Sequence, residues 1–316
     1  MTNKPTNRVV LCSPSGALLE PDRLDRAVSA LQSLSFEVKE SVHCRTRHQR
    51  FAGTDEQRLS DLEAVLASTD PSFIMATRGG YGASRLMDKA DWPTLARHLN
   101  AHQHVLCGHS DITAIQLALM AAGARPEHLL HGPMASFDFG DEAGVHESTL
   151  QYFLSSLGGQ VSIHWEGAIY DRDDAGSFEP LEGPVWGGNL TMLCALVGTP
   201  SLPKIQAGIL ILEDVNEAVY KIERMLLQLH QAGVLATQQA IVLGQFNEPA
   251  PSVHDNGYDL SILAQYLAKL TGLPVLTQFP FGHCTPKCCW YQGKKGQLRQ
   301  ASPSTNGLPQ WSLVQS

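Results

Sequence analysis

The chain has no long apolar run, and this lack removes a first class of function. A membrane-spanning helix requires about 18 consecutive apolar residues, whereas the apolar stretch nearest the start, Val9 to Cys12, stops at Ser13-Pro14. The same run is too short for the core of a signal peptide, so the sequence predicts a cytoplasmic protein with no membrane partner. Runs of one charge sign are also missing, which leaves no binding tail. Acidic residues number 31 against 23 Lys and Arg, for a formal net charge of -8. An acidic surface repels phosphate backbones and argues against a nucleic-acid partner. There are no internal repeats and no low-complexity segments. Neither a HExxH zinc motif nor a Walker phosphate loop occurs, and the glycines of Arg78-Gly79-Gly80-Tyr81-Gly82 do not fit a dinucleotide fingerprint. Cysteines are few and unpatterned: seven, scattered and odd in number, so a secreted disulfide framework is excluded.

What is present is the composition of a globular protein, with 43% hydrophobic and 17% charged residues over 316 positions, a length that suits two domains. Short apolar runs alternate with longer amphipathic ones. Strands are expected at 8–12, 35–38, 73–76 and 104–107, with helices at 23–34, 57–67 and 112–122. Strands alternating with helices imply an α/β class, with a parallel sheet covered on both faces. The first domain is expected over 1–154. The polar, weakly periodic stretch 155–182, which includes Tyr170-Asp171-Arg172-Asp173-Asp174, reads as a linker with one or two strands. A second α/β domain is expected over 183–316, with helices at 189–197, 216–232 and 260–270 and strands at 208–212, 240–243 and 274–277. The tail after Cys289 shows little periodicity.

Three short segments could carry chemistry. Gly108-His109-Ser110-Asp111 joins a strand to a helix, so the Ser110 hydroxyl would stand above the carboxyl end of the sheet beside free helix N–H groups able to stabilise an oxyanion. The alternative is that Ser110 or Asp111 simply caps the helix. In Leu212-Glu213-Asp214-Val215-Asn216-Glu217, Asp214 and Glu217 have the spacing of a cap and its capping-box partner. Glu213 is left over at the sheet edge where ligands gather in open α/β folds, or it is a surface carboxylate. His283 follows Phe281-Gly282 in a loop, with room to act as a general base or to serve structure alone. A zinc site from His283, Cys284, Cys288 and Cys289 matches no usual spacing, and His98, His102 and His104 read as a solvated helix face.

Taken together, the segments Ser13-Pro14-Ser15-Gly16, Phe51-Ala52-Gly53-Thr54-Asp55, Arg78-Gly79-Gly80-Tyr81-Gly82, Gly108-His109-Ser110-Asp111-Ile112-Thr113, His131-Gly132-Pro133-Met134, Trp186-Gly187-Gly188-Asn189-Leu190, Leu212-Glu213-Asp214 and Phe281-Gly282-His283 stand in one order along nearly the whole chain. In that order the sequence resembles the L,D-carboxypeptidases (muramoyltetrapeptide carboxypeptidases, serine peptidase family S66). The resemblance implies a doubly wound N-terminal domain and a smaller C-terminal α/β domain, with the active site in the cleft between them. It implies Ser110 as nucleophile, Glu213 as triad acid and His283 as base, with the backbone N–H groups of Gly80 and Asp111 as the oxyanion hole. It further implies a cofactor-free, metal-free cytosolic homodimer that removes the terminal D-alanine from peptidoglycan tetrapeptides. Arg78, Tyr81, Trp186 and Asn189 are candidates for contact with the muropeptide. A related amide hydrolase acting on a peptide–nucleotide antibiotic, or a non-catalytic muropeptide binder, would share the same frame. The segment from Cys284 to Gly293 departs from the family's β-rich tail, which predicts looser packing around His283.

Overall fold

The short apolar runs of the first half become strands, buried on both faces at β3 and β5 and largely exposed at the edge strand β2. A computed structural model describes residues 7–171, 178–247, 250, 252–301 and 307–316. In it the chain runs through β1 (Arg8–Cys12), α1 (Pro21–Ser33), β2 (Glu37–Glu40), α2 (Asp55–Ala67), β3 (Phe73–Ala76), α3 (Trp92–Ala101), β4 (Val105–Gly108), α4 (Ile112–Ala121), β5 (Leu129–His131) and α5 (Glu147–Leu157). Local sequence accounts for the helix starts. Pro21 stands in the first turn of α1, where its missing N–H costs nothing. Thr54 and Gln57 form a reciprocal capping box at α2. The strands β2, β1, β3, β4 and β5 pair in parallel. Strand β1 is flanked by β2 on one side and β3 on the other, so the chain order reverses there. Carboxyl-end loops part at such a switch point and leave a crevice. Ser13–Gly16 and Thr77–Gly82 are the loops that line it.

The second half builds a larger sheet. It contains β6 (Val161–Glu166), β7 (Ile169–Tyr170), β8 (Leu181–Asn189), α6 (Leu190–Ala195), β9 (Gly208–Val215), α7 (Val219–Gln231), β10 (Gln238–Asn247), α8 (Leu260–Thr271), β11 (Val275–Leu276), β12 (Trp290–Tyr291), β13 (Lys295–Gln300) and β14 (Gln310–Gln315). The strand order is β6-β14-β13-β8-β9-β10-β11-β7. Its centre, β8 to β11, is parallel, and its flanks are antiparallel. The mixed α/β class with two sheets is thus observed.

Several expectations sharpen or change in detail. The one or two strands expected within 155–182 are β6 and β7, and they form both edges of the second sheet; Arg172, Asp173 and Asp174 lie outside the described residues. The signal of β6 was alternation: Val161, Ile163 and Trp165 are buried while the residues between them face solvent. The tail after Cys289 is not loose. It forms three strands, and β12 crosses to the first sheet to pair antiparallel with β5. The helix expected from Asn216 starts at Val219, because β9 continues to Val215 and Asn216 takes a left-handed φ of 60°. Asp214 and Glu217 therefore form no capping box. Asp214 instead accepts hydrogen bonds from the Thr191 N–H and hydroxyl, at 2.8 Å each, at the start of α6, and Glu217 pairs with Lys221.

Helix α4 decides where the two sheets meet. Every residue from Ile112 to Leu119 is buried. It packs against α6 and β8, so one apolar cluster runs from Ile74 and Leu106 through Ile115 and Leu193 to Leu210 and Leu243. The turn that precedes α4 consequently opens at the junction of the two halves.

Candidate active site

Ser110 is placed by a strained turn. It lies between β4 and α4 with a φ of 61°, a left-handed conformation that non-glycine residues rarely adopt. Helix α4 begins at Ile112, and Asp111, at the cap position, makes no side-chain capping bond. The capping reading of this turn is therefore replaced. The Asp111 carboxylate reaches the crevice loops, where Ser15 Oγ donates to it and the Ala83 N–H donates at 2.7 Å. Burial pushes this carboxyl above its usual value, and the bonds from Ser15 and Ala83 pull the other way. The side chain thus ties the glycine loop to the serine turn.

Gly79 and Gly80 lie against that turn. A Cβ on Gly79 would stand 2.8 Å from Ser110 Oγ, and one on Gly16 would stand 2.8 Å from the Gly79 carbonyl, so neither position admits a side chain without movement. Gly80 has a φ of 101°. Among the described residues, neither the Gly80 nor the Asp111 backbone N–H has a protein acceptor. Both remain available to an oxygen bound above Ser110.

His283 comes from the loop after β11. Phe281 anchors this loop: its carbonyl accepts from the Gln245 N–H at 2.7 Å, and its ring is fully buried 4.3 Å from that of Trp290. His283 Nε2 is 3.1 Å from Ser110 Oγ, and Nδ1 is 2.9 Å from Glu213 Oε2. Glu213 is fully buried on β9, in register with Asn189, and its Oε1 has no protein partner among the described residues. An ionised Glu213 accepts from Nδ1–H. That leaves Nε2 with a lone pair facing the serine hydroxyl, the tautomer that proton abstraction requires. Residues separated by 173 positions in sequence thereby form one relay.

The remaining sequence candidates divide. Arg78 donates from Nη1 to the Ala17 carbonyl at 2.7 Å. Its Nη2 lies 3.5 Å from the place a Gly80 Cβ would occupy. It lines a cavity of about 170 Å³ with Leu18, Leu19, Ser136 and Phe137. Tyr81 is exposed on the rim, packed on Phe51 and Arg50. Trp186 does not face the serine. It is buried, donates to Gln238 Oε1 at 2.8 Å and lines a separate cavity with Leu202, Ile205 and Val234. Asn189 is structural: it caps α6 through the Met192 N–H and donates to Asp214. Strand β8 is buried on both faces near its end, so alternation could not tell which side chains turn toward the cleft.

No three His, Cys, Asp or Glu side chains group as metal ligands among the described residues. Cys288 and Cys289 are buried in apolar surroundings that push their thiols upward, and Cys284 donates to the Pro286 carbonyl. Sequence reasoning missed the clamp made by Ser15, Ala83 and the Asp111 carboxylate. Its only signal was a Ser-Pro-Ser-Gly turn placed after the first strand.

Comparison with known proteins agrees with this frame. Residues 9–128 match the LD-carboxypeptidase N-terminal domain and residues 182–298 the LD-carboxypeptidase C-terminal domain. The chain is similar to the murein tetrapeptide carboxypeptidase of Pseudomonas aeruginosa, with 31% identity over 94% of this chain and 98% of that protein. The crystal structure of muramoyltetrapeptide carboxypeptidase from Oxalobacter formigenes superposes with a TM-score of 0.84 at 35% identity, covering 97% of this chain and 98% of the other. The microcin C7 self immunity protein MccF superposes at 0.81 but is 20% identical over 99% of this chain and 97% of its own, a likeness of fold alone. On the domains it matches and the relative it parallels end to end, the chain belongs to the LD-carboxypeptidase family.

Proposed function

We propose that the protein is a serine L,D-carboxypeptidase that removes the terminal D-alanine from peptidoglycan-derived tetrapeptides. The observation that carries this reading is the relay from Glu213 through His283 to Ser110, opened beside two backbone N–H groups that have no protein acceptor among the described residues. His283 Nε2 takes the Ser110 proton as Oγ attacks the peptide carbonyl. The oxyanion is held by the Gly80 and Asp111 N–H groups. Glu213 holds the ring through Nδ1–H and balances the imidazolium. His283 then protonates the departing amine, and a water activated by the same nitrogen releases the acyl group. Arg78 supplies the cation for the substrate's free carboxylate, which is what makes the reaction exopeptidic; the adjoining cavity of about 170 Å³ admits a small residue.

The murein tetrapeptide carboxypeptidase likeness supports this substrate over a peptide–nucleotide amide. Trp186, one of the aromatic side chains that the sequence offered for stacking on a base, is buried and engaged with Gln238 instead. A homodimer in the cytoplasm belongs to the same proposal, and among the described residues no helix is long and apolar enough to cross a membrane. The test is incubation with the muramoyl tetrapeptide and assay of free D-alanine. Ser110→Ala is expected to keep the wild-type melting temperature and lose on the order of 10⁴-fold or more of the rate. A variant that keeps a tenth of the rate, or roughly so, removes Ser110 as nucleophile.

A further inference from the structure

Behind the relay lies a second buried chain of polar groups that the reaction as written does not use. Lys287 follows His283 by four residues and is fully buried. Its Nζ lies 3.1 Å from Asp138 Oδ1, 3.0 Å from His109 Nε2 and 4.5 Å from the centre of the Phe137 ring. His109 immediately precedes Ser110. Its Nδ1 is 2.9 Å from the Gly132 carbonyl, which can only accept, so Nδ1 carries the proton and Nε2 accepts from the lysine. The His109 ring meets the His283 ring nearly edge-on, with centroids 5.4 Å apart.

Packing does not explain this arrangement. A buried ion pair loses hydration on both sides, and an apolar pair of similar volume is often as stable or more so. What the pair does provide is a fixed register between distant segments. Asp138 belongs to the turn before α5, His109 to the serine turn and Lys287 to the His283 loop. The Lys287 N–H adds a bond to Thr149 Oγ1 at 2.9 Å on α5.

Resting on the triad reading above, we infer that Asp138, Lys287 and His109 form a positioning clamp that sets the His283 ring against Ser110 and balances charge beneath it. None of the three touches the reacting atoms; each acts through His283 or the serine turn. The charged and titratable groups around His283 are Glu213 from β9, His109 from the serine turn, Asp138 from the turn before α5, and Cys284 and Lys287 from its own loop. The Lys287 cation opposes a positive charge on that ring, and Asp138 favours it. Burial, followed by the Lys287 cation, holds His109 well below its usual value and therefore neutral.

The test uses no peptide substrate. A fluorophosphonate reagent reacts with an activated serine, forming the Oγ–phosphorus bond and releasing fluoride, and its rate against pH reports both the position of Ser110 and the deprotonation of His283. Lys287→Met and Asp138→Asn are each expected to slow labelling by about tenfold or more. Their acidic limbs should move in opposite directions, upward for Lys287→Met and downward for Asp138→Asn, ending about half a pH unit or more apart. The double variant Lys287→Met/Asp138→Asn leaves no unpaired charge and serves if either single variant fails to fold. It should label slowly, with the limb back near that of wild type. Wild-type labelling rates in these variants, or limbs that shift together, overturn the clamp. A wild-type protein that does not label at Ser110 overturns the triad and the clamp with it. Failure to cleave tetrapeptide while labelling persists refutes only the substrate.

Discussion

One oxygen of Glu213 meets His283 Nδ1 and the other meets no protein group among the described residues, in a side chain with no exposure. A carboxylate so placed has one evident polar task, on the imidazole. Glu213→Gln keeps the shape and removes the charge, and its amide can present N–H where the ring requires an acceptor. Turnover of tetrapeptide is expected to fall by on the order of 10⁴-fold, the effect of the corresponding Asp-to-Asn change in a Ser-His-Asp triad. Glu217→Gln is the control: its partly exposed carboxylate pairs with Lys221 at 3.6 Å, a contact worth under about 1 kcal/mol. It should leave the rate unchanged. If Glu217→Gln stops turnover and Glu213→Gln spares it, Glu213 is not the acid. At this scale the sequence was partly legible. Ser110, Glu213 and His283 each had an ordinary structural reading, and only their order and company singled them out. Trp186 and Asn189 were legible as neighbours of the site but not as to facing, because side-chain direction at the end of a doubly buried strand is set by tertiary packing.

The elements position these residues by close backbone approach more than by side-chain contact. The Gly79-Gly80 loop rests against the serine turn with Gly16 behind it, and the Gly16 N–H donates to the Gly79 carbonyl at 3.0 Å. A Cβ at Gly79 would press on Ser110 Cβ and Oγ at 2.8 Å each. Gly79→Ala is thus expected to displace the nucleophile, lowering kcat by about 100-fold while costing about 1–3 kcal/mol of stability. Kinetics on tetrapeptide and a thermal melt would separate the two effects; an alanine variant with wild-type kcat would show that the loop yields and does not set the serine. The alternation of strand and helix in the first half was readable because its strands are short apolar runs between amphipathic helices. The flanking strands were harder. β6, β13 and β14 bury one face only, and residues such as Gly296 and Gln315 fill inward positions without looking hydrophobic. The short β12 runs against β5, a partnership made by long-range packing of Trp290 on Phe279, Phe281 and His131.

Across the whole molecule, the junction between the sheets is built partly from histidines that the fold holds neutral. His131 is the extreme case. It packs against both the Phe281 and the Trp290 ring, with centroids 4.9 and 4.5 Å away, and lies beneath Gly188, whose added Cβ would stand 2.6 Å from the imidazole. Its Nδ1 pairs with Gln116 at 2.7 Å, and its Nε2 finds no partner among the described residues. Burial, followed by the Lys287 charge, depresses it to about 3. Burial likewise lowers His104, His109 and His128. The sign of the consequence follows from proton counting. An unfolded chain protonates a histidine below roughly pH 6.5, while folded His131 stays neutral down to about 3. Between those values the unfolded state binds more protons, so stability falls as pH falls, by about 2 kcal/mol at pH 5 for this one group. Buried Asp111, Asp138 and Asp214 are raised and act in the opposite sense, since the folded state keeps their protons longer. Comparison of wild type with His131→Gln cancels their contribution. The variant retains a donor toward Gln116 but cannot titrate. It is expected to be less stable at pH 7.5, where the ring's packing is lost, and to have a shallower decline in denaturant-measured stability from pH 7 to pH 5. Parallel declines in the two proteins would mean that His131 takes up its proton as readily in the fold as out of it, and that the junction tolerates charge.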